Sequence, residues 1–214
     1  MKIKKLGHCC LIVEVNGKRI MTDPGSFTIG EQAKETNIDL ILITHEHGDH
    51  LHIDSLKKVL VNNTNAVIIT NAGVGKLLDE VGIKYEVLIN KVSKDFFGVE
   101  IEACDYKHEE IFKSFKLVQN TGYFINRKLF YPGDSFQNPL KTVEILALPV
   151  AGPWVSIKDA INFALEIKPK ICFPVHDGMI KKDKTGSMYG VSNLILSENN
   201  IKFKILEDGQ EEEF

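Results

Sequence analysis

Hydrophobic and polar positions along the chain follow two periods, and the switch between them occurs twice. CCLIVEV (9–15) and RIMTD (19–23) read as strands, and they flank Asn16-Gly17, the strongest two-residue hairpin signal. Asp39 to Thr44 is a short continuous apolar run, which predicts a strand buried on both faces. A helix is predicted over 54–60 with Asp54 as its N-cap, then a strand over 66–70 and a short helix from Val74 to Val81, ending at Gly82. The order then restarts. Gly98 to Cys104 is strand-like, a polar loop carries His108, and Asn126-Arg127 separates the strands of a second hairpin. Glu144 to Leu148 follows as a strand.

Ser156 and Asp159 form a capping-box pattern before the apolar stripe Ile157, Ala160, Ile161, Ala164 and Leu165, and Pro169 ends that helix. Ile171 to Pro174 and Ile201 to Leu206 are the last predicted strands. Residues 210–214 read as a frayed acidic tail, and 107–120 and 177–190 as loops. Hairpin, strand, helix and strand thus occur twice, with no linker of Pro, Gly or Ser between the halves. That order predicts one domain over 1–214, with two sheets packed on each other and helices on their outer faces.

Composition narrows the class. The chain has 214 residues, 43% hydrophobic and 26% charged, with a formal net charge of -3 and a pI near 6.2. That balance lacks the positive field of a general nucleic-acid binder, although Lys181, Lys182 and Lys184 form a local basic group. No apolar run approaches the ~18–20 residues of a membrane span. The N-terminal stretch is basic and then apolar, but Glu14 interrupts it and no cleavage site follows, so a signal peptide is not expected. Cys9, Cys10, Cys104 and Cys172 lack C-x-x-C spacing and read as reduced, buried cysteines of a cytoplasmic protein.

The chemistry concentrates in ITHEHGDHLHID (43–54), which holds four of the seven histidines. A solvated loop would favour Lys and Glu. A plain core would exclude these groups, because burying an unpaired polar group costs roughly 2–7 kcal/mol. A helical zincin is excluded, since H-E-x-x-H would need a second histidine where Asp49 stands, and a zinc finger would need closely spaced cysteines. Gly73-Val-Gly75-Lys76 lacks the phosphate-loop pattern. Imidazole and carboxylate ligands suit zinc, manganese or iron. Outside the cluster, His108, Asp134 and His176 also follow predicted strand ends, where loops on a rigid scaffold carry function.

THEHGDH resembles the H-x-H-x-D-H signature of the metallo-β-lactamase superfamily. Thr22-Asp23-Pro24, Gly133-Asp134-Ser135 and Pro174-Val175-His176 resemble its other motifs, in the right order. Gly7-His8 and Gly152-Pro153-Trp154 are similar to the branch of small metal-dependent hydrolases that includes ascorbate-phosphate lactonase. The resemblance covers nearly the whole chain and implies a four-layer αββα sandwich. It implies that His45, His47 and His108 hold one divalent ion, that Asp49, His50 and His176 hold a second, and that Asp134 bridges them. Zinc is expected first, with manganese or iron as alternatives.

The implied activity is hydrolysis of a small-molecule ester, lactone or phosphodiester by a hydroxide shared between the ions, with Asp49 catalytic. His8, Asp23 and His52 are expected to brace the ligands, and Trp154 to line the substrate pocket. Flavodiiron relatives carry Glu where this chain has His47, which disfavours redox chemistry. Asp134 stands where some β-lactamases place Cys, which disfavours a true β-lactamase. A nuclease, or a metal-binding protein without turnover, are the alternative readings. The sequence leaves substrate, metal identity and oligomeric state open.

Overall fold

Short turns and apolar alternation organise the computed structural model, which describes the backbone of all 214 residues and every side chain except that of Lys182. The first sheet begins with β1 (Lys2–Gly7), β2 (Cys10–Val15) and β3 (Lys18–Thr22), joined antiparallel. Parallel strands β4 (Leu40–Leu42), β5 (Val67–Thr70) and β6 (Glu86–Val87) extend it. The second sheet contains β7 (Ser93–Phe96), β8 (Val99–Lys107), β9 (Gln119–Ile125) and β10 (Leu129–Tyr131), antiparallel in series. Parallel strands β11 (Ile145–Pro149), β12 (Ile171–Val175) and β13 (Lys202–Phe203) complete it. Strand β14 (Glu211–Glu213) returns to pair antiparallel with β1, giving seven strands per sheet.

Five helices accompany the sheets: α1 (Ile29–Gln32), α2 (Ile53–Asn62), α3 (Ala72–Glu80), α4 (Ile157–Ile167) and α5 (Thr185–Glu198). Between the sheets, Leu11, Val13, Leu40 and Leu42 meet Ile101, Ile125, Leu129 and Phe173. On the outer face of the first sheet, Ile12, Ile41 and Ile68 pack on Leu56 and Val59 of α2 and Leu78 of α3. On the outer face of the second, Phe130, Leu146 and Cys172 pack on Ala160 and Phe163 of α4 and Leu196 of α5. The αββα layering follows from these three cores. β4 explains the continuous apolar run: Leu40 and Leu42 enter the central core while Ile41 enters the outer one. Each such fully buried side chain contributes about 1.5–3 kcal/mol.

Two buried tyrosines of the second sheet bond across to the first. Tyr123 O–H donates to Ile43 O at 3.1 Å, and Tyr131 O–H to Asp23 Oδ2 at 2.6 Å, with Cys9 O 2.8 Å from the same hydroxyl oxygen. The predicted capping box at Ser156 and Asp159 is present.

Several local expectations are corrected. Residues 210–214 are not frayed: β14 is held by pairing with Lys2–Lys4 and by the Lys2–Glu211 and Lys204–Glu212 ion pairs, which offset its acidic run. The strand expected over 201–206 shortens to β13. The loop expected over 177–190 becomes helical from Thr185; Gly186 and Gly190 weaken its helix signal, yet Tyr189, Ser192 and Leu196 form its buried stripe. Asp54 is not the N-cap of α2; His52 occupies that position and Asp54 lies in the first turn. Strand β7 was unanticipated because it is a polar edge strand whose Ser93, Lys94 and Asp95 face solvent. Lys181 and Lys184 are exposed, while Lys182 lies outside the described side chains.

Strand direction positions the site. Within the first sheet β1, β3 and β4 run the same way, as do β8, β10, β11 and β12 within the second. His8, Asp23, His45, His108, Asp134, Trp154 and His176 all lie in the segments that follow the C-terminal ends of these strands.

Candidate metal centre

One rim of the sandwich gathers all seven residues assigned to metal ligation. Asp134 is central and 2% exposed. Its Oδ2 lies 3.2 Å from His108 Nε2, 3.8 Å from His45 Nε2 and 3.0 Å from His176 Nε2, and its Oδ1 lies 3.1 Å from His50 Nε2. His45 Nε2 lies 3.2 Å from His47 Nδ1. Asp49 Oδ2 lies 3.4 Å from His176 Nε2 and 3.8 Å from His50 Nε2. Two ligands of one tetrahedral ion, each at ~2.0–2.1 Å, stand ~3.3–3.4 Å apart, so these spacings suit ions between the donors.

His45, His50, His108 and His176 each have one nitrogen committed to the protein, which directs the other inward. His50 Nδ1 meets Asp23 Oδ2 at 2.7 Å, His108 Nδ1 meets Glu109 O at 2.6 Å, and His176 Nδ1 bonds to Ala151 O. Thr44 O–H donates to Asp23 at 2.8 Å, so Thr44 Oγ1 accepts from His45 Nδ1 at 3.0 Å. The inward atoms His50 Nε2, His108 Nε2, His176 Nε2 and Asp134 Oδ1 are buried with no hydrogen-bond partner among the described residues. They approach one another closely but lack hydrogen-bonding geometry. Four orphaned polar atoms converging on one place would be costly unless a cation completed them. The donor set fits divalent ions on this ground.

Electrostatics agree. Burial, and then the neighbouring His50, hold His45 well below the usual imidazole range, leaving it neutral. Burial opposes ionisation of Asp134, but His50 and His176 outweigh it and hold the carboxyl well below its usual value. Burial likewise opposes charge on His176, yet Cys9 and Asp134 raise it to about 11.

The bracing residues divide. Asp23 is fully buried and also accepts from Thr44 N–H at 2.7 Å and Tyr131 O–H at 2.6 Å. His8 Nδ1 accepts from Gly178 N–H at 3.1 Å, so Nε2 carries the proton and faces Asp49 Oδ2 at 3.3 Å. His52 instead bonds Ser55 Oγ at 2.7 Å at the start of α2. Trp154 stands edge-on to both His108 and His176, and its Nε1 is buried without a partner among the described residues. His8, Asp23 and His176 all have left-handed backbones, with φ of 51°, 35° and 58°. Such positions cost roughly 1–3 kcal/mol each and persist where surrounding contacts over-determine them.

A match to the beta-lactamase superfamily domain spans residues 2–176. The chain belongs to the beta-lactamase superfamily. Within it, the chain falls in the small metal-dependent hydrolase branch. It is 30% identical over 179 residues to a UPF0173 metal-dependent hydrolase of Flavobacterium johnsoniae, covering 75% of this chain and 77% of that one. A Mycobacterium tuberculosis protein is 28% identical over 199 residues, covering 89% and 90% of the two chains. Among solved structures, a candidate metal-dependent hydrolase of Parabacteroides distasonis superimposes with a TM-score of 0.77 at 26% identity, over 97% of this chain and 93% of that one.

Sequence reasoning did not place Cys9 beside these histidines. All four cysteines are unpaired and buried, as expected, but Cys9 lies among His8, His50 and His176. Burial pushes its thiol up, and the positive field of His8, His50 and His176 outweighs that, bringing it to about 6. Its local sequence carries no such signal, because the histidines other than His8 arrive from remote segments.

Proposed function

We propose that this protein is a hydrolase that holds two divalent ions, zinc by preference with manganese or iron as alternatives, and cleaves a small ester, lactone or phosphodiester. The observation that carries this reading is the convergence of four orphaned, buried polar atoms, His50 Nε2, His108 Nε2, His176 Nε2 and Asp134 Oδ1. His45, His47 and His108 would hold one ion and Asp49, His50 and His176 the other, with Asp134 reaching both groups. Bound ions would supply Lewis-acid polarisation of the scissile group and a water of lowered pKa.

The chain's own residues supply the rest. The side chain of Asp49 is 20% exposed, against 2% or less for His45, His50, His108, Asp134 and His176. It is therefore the carboxylate best placed to exchange a proton with substrate, and His8 orients it. The unpartnered indole N–H of Trp154 offers a donor to the substrate's developing negative charge. Phe112, Phe115 and Leu117 are exposed in the loop that follows His108, and Lys113 and Lys116 are interleaved with them. That composition suits a substrate with an apolar body and an anionic group. Among the described residues, no helix is long and apolar enough to cross a membrane. The four unpaired cysteines support placement in a reducing cytoplasm.

The test combines elemental analysis with a panel of lactones, aryl esters and bis-aryl phosphodiesters. Two ions per chain, with turnover of one substrate class that Asp134→Ala abolishes, is the expected result. A protein that takes up no ions after metal-supplemented preparation would sink the reading.

A further inference from the structure

A buried thiol faces the His50 and His176 side of the cluster. Cys9 lies in the tight turn between β1 and β2 and is 2% exposed. Its carbonyl accepts from Thr22 O–H at 2.8 Å and lies 2.8 Å from the Tyr131 hydroxyl oxygen, whose proton goes to Asp23, so groups from both sheets pack on the turn. One donor atom from each of His8, Cys9, His50 and His176 lies within 4.8 Å of the other three, and all four residues are buried.

Two of these residues are incomplete. His50 Nε2 and His176 Nε2 have no hydrogen-bond partner among the described residues. His8 is committed on both nitrogens, to Gly178 N–H and to Asp49. Cys9 Sγ is therefore the remaining donor of that group, with the Asp49 carboxylate already facing the same two imidazoles. With Asp134 reaching the same two imidazoles, the donors become one sulfur, two nitrogens and two carboxylate oxygens, all ligand types that zinc accepts. The other half, His45, His47 and His108, offers nitrogen alone.

We propose that Cys9 supplies a sulfur ligand to the cation held by Asp49, His50 and His176, which makes this half of the centre a thiolate-containing site. The inference rests on the metal-binding reading above and goes beyond it in donor type and residue. Ligation forms one metal–sulfur bond and gives up the S–H proton to solvent, with no change of oxidation state. A thiolate at this position favours zinc, cobalt or iron over the harder manganese and magnesium.

The full-length protein loaded with Co²⁺ provides the test. Thiolate-to-cobalt charge-transfer absorption in the near ultraviolet is expected in the unaltered protein and in Cys10→Ser, whose thiol lies in the outer core. It should vanish in Cys9→Ser while the visible ligand-field bands persist. Bound cobalt without the charge-transfer band, or a band undiminished in Cys9→Ser, overturns the inference. X-ray absorption on the unaltered zinc-loaded protein needs no variant: a sulfur shell at ~2.3 Å is expected, and a shell of nitrogen and oxygen alone overturns it. Failure to bind either metal would overturn the metal-binding reading as well, so the two failures are distinguishable.

Discussion

His50 Nδ1 and Asp23 Oδ2 lie 2.7 Å apart, and neither residue is exposed to solvent. Asp23 has three further donors, Thr44 N–H, Thr44 O–H and Tyr131 O–H. Its carboxylate therefore sets the tautomer of His50 directly and that of His45 through Thr44. Asp23→Asn would place an amide opposite His50 and permit the tautomer that blocks Nε2. We expect metal affinity to fall about 10–100-fold, with the far-ultraviolet spectrum unchanged. Competition against a chromophoric chelator measures it, and unaltered affinity would contradict the role.

Gly25 allows the histidine loop to close. A Cβ built there would stand 1.7 Å from the backbone oxygen of Asp49 and 2.7 Å from His50 N. Gly25→Ala must displace backbone that carries two proposed ligands. A lower melting temperature and a reduced number of bound ions are expected. Gly30→Ala, whose added methyl meets nothing within 4 Å, should change neither.

Metal uptake should release protons. His176 is raised to about 11 and His50 well above the usual imidazole value. Burial opposes both shifts, but for His176 Cys9 and Asp134 dominate, and for His50 Asp134 and Cys9 do. Because the folded values exceed the unfolded value near 6.5, their stabilising effect is full below that pH. It declines as pH rises, through about 11 for His176. A cation competes for the same nitrogens. Affinity should therefore climb with pH throughout the range below about 11, where His176 must give up its proton to bind. Calorimetry in two buffers of different ionisation enthalpy counts the protons released; zero at pH 7.5 would refute the proposal.

Beneath His176, Lys5 Nζ is buried against Asp177 Oδ2 at 2.5 Å and Pro174 O at 3.1 Å. Tyr189 O–H also donates to Asp177. Lys5→Met would leave the Asp177 carboxylate without its counter-charge, a loss of up to about 3–5 kcal/mol. Adding Asp177→Asn should recover part of it. Urea denaturation of the single and double variants distinguishes this from an exposed pair, whose loss would cost less than about 1 kcal/mol.

Trp154→Phe retains the aromatic ring beside His108 and His176 but removes the unpartnered N–H. We expect bound metal to be unchanged and kcat/KM to fall about tenfold, the effect of one net hydrogen bond near 1.4 kcal/mol. Equal kcat/KM would assign Trp154 to packing alone.

The layered fold was legible because it rests on local patterns. Asn16-Gly17 makes a hairpin turn, the 39–44 run makes β4, and Ser156 with Asp159 makes a cap, each through interactions within a few residues. The H-x-H-x-D-H loop was equally legible, as its residue types already exclude both an ordinary surface and an ordinary core. Where local preference was weak, the reading failed. Helix α5 starts through two glycines and forms because Tyr189 and Leu196 find the second sheet and α4; β14 forms because Lys2 and Lys204 offset a row of glutamates.

The site's division of labour came from long-range contacts. Tyr131 reaches Asp23 across 108 positions, and Gly178 fixes the tautomer of His8 across 170. Nothing in Gly7-His8-Cys9-Cys10 tells which cysteine faces the histidines, because adjacent side chains in a strand-like run go to opposite faces. The two sheets settle it by sending Cys9 to the central core and Cys10 to the outer one. Ligand types and their order are properties of the chain. Which nitrogen is free, which carboxylate braces and which sulfur approaches depend on strands that meet only once both sheets have packed.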